Sequence, residues 1–191
     1  LGRNEDRLRG TYEFPFEFHH IDSTHPRYVM SYHWHVECEI MRILQGTLTV
    51  TLDEKSFTAK AGDVIFVNSG VLHSGIPHDC IYQCIVFDMN MFLKFNSVCT
   101  EYMQKLSHQE LLIYHHFTER HPDIRQTVNS LFDSFWHKNP GYELIVFGQF
   151  YHFFGLVFGN HYYLESLRKT RRDYKRIVQL KQVVEFIEKN Y

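Results

Sequence analysis

A chain of 191 residues with 44% hydrophobic and 16% aromatic content has enough apolar side chains for one large globular domain, or for one domain with an appendage. Its formal charge of −2 gives no overall attraction to nucleic acid or to an anionic membrane, so either contact needs a local patch or a further domain. Four cysteines, Cys38, Cys80, Cys84 and Cys99, form neither a CxxC pair nor a dense framework, which excludes a small disulfide-stapled scaffold and favours reduced thiols.

No N-terminal stretch joins a basic flank to an apolar run and a small-residue cleavage site, so the chain reads as cytoplasmic. From about residue 12 to residue 88 the pattern is that of strands. An aromatic segment, TYEFPFEF (11–18), comes first. HWHVECEIMRILQG (33–46) then sets two histidines and two glutamates into seven positions ahead of an apolar run that ends in Gly46. On a strand His33 and His35 project to one face and Trp34 to the other, and Glu39 lies at an even offset from both histidines. The same parity puts Ser31, His33, His35, Glu39, Met41 and Ile43 on one inward face, an arrangement that a bulge at Val36 would invert in its second half. In GTLTVTLD (46–53) Leu48, Val50 and Leu52 alternate with threonines, the period of a half-buried strand. DEK (53–55), AGD (61–63), NSG (68–70) and IPHD (76–79) separate short apolar runs such as VIFV (64–67) and IYQCIVF (81–87), the spacing of an antiparallel sandwich or barrel. Cys80 and Cys84 read as strand filling, and His19, His20, His115 and His116 as surface or packing residues.

After residue 88 the period becomes helical. SHQE (107–110) has the form of a capping box before LLIY, yet the same residues fit an extended segment. Pro122 suits a first helical position, and Ile124, Val128, Leu131, Phe132 and Phe135 then share a face until NPG (139–141) stops the helix. YELIVFGQFYHFFGLVFGNHYY (142–163) sets Phe147, Phe150, Tyr151, Phe154, Val157 and Phe158 at helical spacing, with apolar girth wider than one stripe. Its apolar run is too short to span a membrane and carries Gln149 and His152. A helix apolar nearly all round must be covered on more than one side, so these six residues are expected to dimerise; the alternative is burial within the helix's own subunit. LRKTRRDYKR (167–176) reads as a basic linker, with nonspecific phosphate contact as the weaker alternative. IVQLKQVVEFIEKNY (177–191) has helical spacing and an apolar face with no evident partner, as at the start of a further domain.

His33, His35, Glu39 and Gly46 stand at spacings that resemble the first motif of the cupin barrel superfamily. Gly62, Gly70 and His73 in GDVIFVNSGVLHS (62–74) resemble its second. The likeness covers about residues 10 to 90, with departures at Asn68, where the family usually has proline, at Pro77, where it often has asparagine, and at Arg27, where a glycine commonly opens the first motif. With the helices and the basic linker that follow, the chain resembles the N-terminal part of AraC-family transcriptional regulators. That resemblance implies an α+β fold: an N-terminal cupin (jelly-roll-like) antiparallel β-barrel followed by a C-terminal bundle of α-helices. It implies an effector-binding barrel over 1–95, a helical dimerisation region over 96–166, and a basic linker with the first helix of a helix-turn-helix DNA-binding region over 167–191. It further implies a homodimer, a small-molecule effector, DNA as the partner of the whole regulator, no membrane contact and no catalysis.

The residue chemistry adds a second expectation. With His73 from the second motif, His33, His35 and Glu39 make a set of three nitrogens and one carboxylate oxygen, suited to zinc, manganese, iron or nickel. Cupin enzymes, which the motif also resembles, use such a set for dioxygenase or isomerase chemistry. In a sensor the same residues line the effector pocket with Ser31, Met41 and Ile43, and Tyr12, Phe14 and Phe16 of the N-terminal arm cover its opening. Aromatic stacking beside polar groups would suit a sugar-like effector.

Overall fold

Alternating side chains along two long strands organise the molecule. The computed structural model describes residues 3–4, 10–94 and 98–166, with strands β1 (Arg3–Asn4), β2 (Phe16–Ile21), β3 (Met30–Trp34), β4 (Cys38–Leu52), β5 (Lys55–Lys60), β6 (Val64–Val67) and β7 (His73–Phe87). A 3₁₀ turn (Met89–Leu93) leads to α1 (Thr100–Ser107), β8 (Leu111–Ile113), β9 (His116–Phe117), α2 (Pro122–His137), α3 (Tyr142–Gly159) and β10 (Tyr163–Glu165). β4 and β7 pair antiparallel from Cys38↔Phe87 to Leu52↔His73, with an irregular corner where their register shifts around Gln45. Gly46 sits at that corner with φ 66°, and a Cβ on it would lie 2.2 Å from the Asp79 carbonyl oxygen, so the corner requires glycine.

The register shift divides this eight-stranded sheet into a first and a second part, each a smaller sheet that shares β4 and β7. The first half of β4 and the second half of β7 pair with β6 and β2, and β6 pairs with β9. The other halves pair with β5 and β3, and β3 takes β1 in parallel. The expectation of a closed barrel is corrected here: the hydrogen-bonded path β1-β3-β7-β4-β6-β9, with β2 and β5 as branches, does not return on itself among the described residues. Met41, Ile43, Leu48, Val50, Tyr82 and Cys84 belong to one apolar cluster lying on the inner faces of both sheets.

The other face of the first sheet packs on the helices. Phe16, Ile40, Phe66 and Phe87 share a core with Val128, Leu131, Phe132, Phe150 and Phe153, where Phe16 stacks on Phe150 at 5.1 Å and Phe66 on Phe153 at 5.7 Å. α2 starts at Pro122 as expected, and its five periodic apolar residues are all buried. The ambiguous segment at 107–113 resolves as the end of α1 followed by an extended strand, because Leu111–Ile113 finds a partner in β10. Burial divides the six α3 residues expected to dimerise. Phe150, Phe154 and Val157 are buried in this chain's own core, and Phe147, Tyr151 and Phe158 pack half-buried against it. What α3 leaves open instead carries Leu144, 79% exposed, and Ile145, together with Gly148 and Gly155, beside which a Cβ would meet nothing within 4 Å.

The boundary expected near residue 95 does not separate two cores, since Phe117 on β9 and the α2 and α3 residues share one cluster with the first sheet. The basic linker and terminal helix read over 167–191 lie outside the described residues. No described helix is long and apolar enough to cross a membrane.

Candidate functional site

Three strand ends bring the four predicted donors together. His33 comes from β3, His35 from just after it, Glu39 from the start of β4, and His73 from the start of β7, where it pairs across the ladder with His33. One ligand atom from each residue lies within 4.8 Å of all the others. The His33 and His73 ring centres are 4.1 Å apart. The chain turns between His35 and Cys38, yet the even offset survives and Glu39 joins the histidines as the parity predicts.

Each imidazole is oriented by a backbone carbonyl two residues away. His33 Nδ1 lies 2.8 Å from the Ser31 oxygen, His35 Nδ1 3.0 Å from that of Glu37, and His73 Nδ1 2.9 Å from that of Val71. A carbonyl only accepts, so each Nδ1 carries the proton and a neutral ring presents its Nε2 lone pair inwards. These nitrogens face a carboxylate: Glu39 Oε2 is 3.4 Å from His35 Nε2, which donates to it when that nitrogen carries a proton, and 3.3 Å from His73 Nε2. The His73 contact is too poorly aligned to be a hydrogen bond, which leaves His73 Nε2 as a buried polar atom without a hydrogen-bond partner. A cation among these donors would satisfy the unpartnered His73 Nε2 together with Glu39, and carbonyl-oriented histidines are the usual support of a metal shell. Bonds of about 2.1 Å set two donors on one ion at most about 4.2 Å apart, so a pair at the 4.8 Å limit must close by about 0.6 Å or more. The residues fit a divalent metal held by three nitrogens and one oxygen.

Electrostatics agree with this geometry. Burial, followed by the charge of His73, pushes the His33 imidazole down to about 4. Burial works to raise the Glu39 carboxyl, but the His35 and His73 imidazoles beside it outweigh burial and hold the group well below its ordinary value.

The donors floor a cavity of about 240 Å³, small beside common ligand pockets. Ser31, His33, His35 and Glu39 line it as expected. Met41 and Ile43 keep the predicted parity but lie deeper, in the cluster between the sheets. Tyr12, Phe14 and Phe16, expected to cover the opening, are not among the residues that line the cavity. Tyr12 is 80% exposed with Lys94 Nζ 4.6 Å from its ring centre, and Phe14 and Phe16 pack towards Phe135 and Phe147 on the helical side. The reason is register: even positions of β2 face the helices, so His19 and Ile21 face the cavity instead. His19, Tyr82, Cys84 and the turn holding His25 and Arg27 are cavity residues that the sequence reading missed. The alternation in FHHI and IYQC was the available signal, since it sets His19 and Ile21, and likewise Tyr82 and Cys84, on single faces.

Asn68, where proline is usual in the motif, is explained by its contacts. Its side chain donates to the Ile113 oxygen at 2.8 Å and accepts from the Ile113 nitrogen at 3.1 Å, tying the second motif to β8. Behind the cavity, the residues that alternate with its lining make a polar bridge to α2. Arg42 donates to Gln83 Oε1 at 2.8 Å, to the Asn129 side chain at 3.2 Å and to Asp133 at 2.8 Å, and Gln83 Nε2 meets His20 Nδ1 at 3.0 Å.

Comparison with known proteins places this site in context. A family model described as the AraC-like ligand binding domain matches residues 15–154. Over 56 residues the chain is 36% identical to the uncharacterized HTH-type transcriptional regulator YdeC of Bacillus subtilis (strain 168), a match covering 28% of this chain and 19% of that protein. A structure of Bacillus subtilis oxalate decarboxylase, described by its Mn(II) centres, is 25% identical at a TM-score of 0.29, over 31% of this chain and 18% of that one. A Streptococcus pyogenes protein of unknown function, SPY1581, is 16% identical at a TM-score of 0.33, over 38% and 62% of the two chains.

Proposed function

The chain belongs to the AraC-like ligand binding domain family, and on that premise we propose that it is the effector-sensing and dimerising part of a cytoplasmic, DNA-binding transcription regulator. The observation that carries this reading is the cavity itself: a small polar site of converged side chains whose walls, β2, β4 and β7, also form the sheet on which α2 and α3 pack. A bound effector acts through a difference in affinity between two arrangements of that sheet and its helices, and an attached helix-turn-helix region is repositioned as a result. His33, His35, Glu39 and His73 would hold a divalent metal, which when bound supplies a positive anchor for the effector. Ser31 and the lining histidines orient it.

Dimerisation is assigned to the open side of α3, where Leu144 and Ile145 flank a line of glycines that admits close approach of a second copy. The test uses the complete regulator. A small molecule that raises the melting temperature of this chain should change operator binding, and the cavity substitution Ser31→Trp should abolish both effects. A ligand that stabilises the chain with no change in DNA binding overturns the sensing role. The same four donors support a second reading, a metal-dependent enzyme of dioxygenase or isomerase type. Turnover by the metal-loaded protein, lost in His35→Ala, would establish it in place of the first.

A further inference from the structure

We propose that Asn68 is the positioning residue through which occupancy of the four-donor site reaches β10, the strand that leads towards residues 167–191, with Gln109 as a second tie. This rests on the reading of that site as a metal-holding sensor. Loading moves the donors. Their ligand atoms spread up to 4.8 Å from one another, wider than one ion allows, so binding must draw them together. Each imidazole is pinned through Nδ1 to a carbonyl of its own segment, so a ring that moves inwards carries backbone with it. Two of those segments meet at the turn 68–71. His73 Nδ1 donates to the Val71 oxygen at 2.9 Å, Gly70 N donates to the His35 oxygen at 2.9 Å, and Ser69 Oγ donates to the Val36 oxygen. Val71 N closes the turn on the Asn68 oxygen at 3.2 Å, so its four residues move as one unit.

The first residue of that turn grips β8. Asn68, 6% exposed, donates from Nδ2 to the Ile113 oxygen at 2.8 Å and accepts the Ile113 N–H at Oδ1, 3.1 Å away. Bonds from Ser166 N to the Glu110 oxygen and from Tyr114 N to the Tyr162 oxygen put Ile113 at a non-bonded position of the β8–β10 ladder, opposite Tyr163. Its N–H and C=O therefore point away from β10 and into the Asn68 amide. Letting go would strand two buried backbone groups, so β8 follows the turn and β10 follows β8. Gln109 holds the same turn from the end of α1. Its Nε2 donates to the Ser69 oxygen, and its backbone sits at φ 56°, where glycine is favoured. Beyond β10 the chain runs through Ser166 into LRKTRRDYKR (167–176), so a shift of β10 displaces the point from which an attached region starts.

The experiment follows amide hydrogen exchange of the full chain with and without stoichiometric Zn²⁺. In wild type, Zn²⁺ should slow exchange at residues 163–165 by about fivefold beyond any change at α3 residues 150–157, which report global stability; this is a modest coupling between sites. Asn68→Leu removes both Ile113 bonds at similar size, and Gln109→Gly removes the second tie while relieving the backbone. Each should bind Zn²⁺ with wild-type stoichiometry and keep the slowing at residues 30–34. The slowing at 163–165 should vanish in Asn68→Leu and shrink in Gln109→Gly. Undiminished slowing in both variants, or none at 163–165 in a wild type that binds Zn²⁺, overturns the inference while the metal site stands. Where Asn68→Leu fails to fold or to load, Gln109→Gly decides, and undiminished slowing there overturns the inference. A wild type that takes up no Zn²⁺ overturns the metal reading and this inference together.

Discussion

Replacement of Arg42 tests whether the sheet that carries the cavity is fastened to α2 by a buried polar bridge. In Arg42→Met the side-chain stem still covers Phe132, whose ring centre lies 5.1 Å from the guanidinium carbon, so the substitution isolates the polar loss. Gln83, 2% exposed, then keeps a buried Oε1 with no donor, costing about 1–3 kcal/mol. The bonds to Asn129 add about 1 kcal/mol. The ion pair with Asp133 adds little, because that carboxylate is 59% exposed and screened by solvent. The total is about 2–4 kcal/mol, equivalent to a fall of about 4–16 °C in melting temperature for a chain of this size. Removing the stranded partner should recover part of this: Arg42→Met/Gln83→Leu should cost at least about 1 kcal/mol less than the two single changes added. Urea unfolding of the four proteins measures it. A cost under about 0.5 kcal/mol for Arg42→Met, or strict additivity in the double variant, refutes the claim that burial of this bridge holds the sheet on α2.

Three further outcomes follow from the geometry. His35→Ala, His73→Ala and Glu39→Gln should each weaken divalent metal binding at least about tenfold, and chelation should lower the melting temperature of wild-type protein; a wild type that binds no metal after dialysis against Zn²⁺, Mn²⁺ or Ni²⁺ refutes the centre. Metal-free protein should lose stability as pH falls from about 6.5 towards 4. Over that window the unfolded chain takes up a proton at His33 and the folded chain does not, so the urea midpoint should decline less steeply in His33→Phe. Glu39, held below its usual value, loses its own stabilising contribution only below about 4.5, so the difference between wild type and His33→Phe from pH 7.5 to 5 reports on His33. On α3, Phe154→Ala should cost about 3–5 kcal/mol through an internal cavity, whereas Leu144→Glu should make the proposed dimer monomeric in sedimentation while leaving the monomer's stability within about 0.5 kcal/mol; a Leu144→Glu dimer, or a monomeric wild type, refutes the proposed face.

Local periodicity was enough to read much of this molecule. The threonine alternation of β4, the Pro122 start of α2 and the shared parity of His33, His35 and Glu39 follow from repeats of 2.0 and 3.6 residues, which act within one element or between neighbours, whereas His73 joined them through the resemblance to two cupin motifs. Tertiary structure decided what those patterns could not carry. Two apolar faces are indistinguishable in sequence when both are buried, so only packing shows that Phe150 and Phe154 face this chain's own sheet while Leu144 remains exposed. The parity of β2 likewise has no absolute sign until Phe16 pairs with Phe87, and that register sends Phe14 and Phe16 to the helices and His19 to the cavity. Whether the sheet closes is set by the corner at Gly46 and by pairings between strands far apart in the chain. Hydrophobic pattern specifies which residues leave water, and only three-dimensional register specifies which surfaces they leave it for.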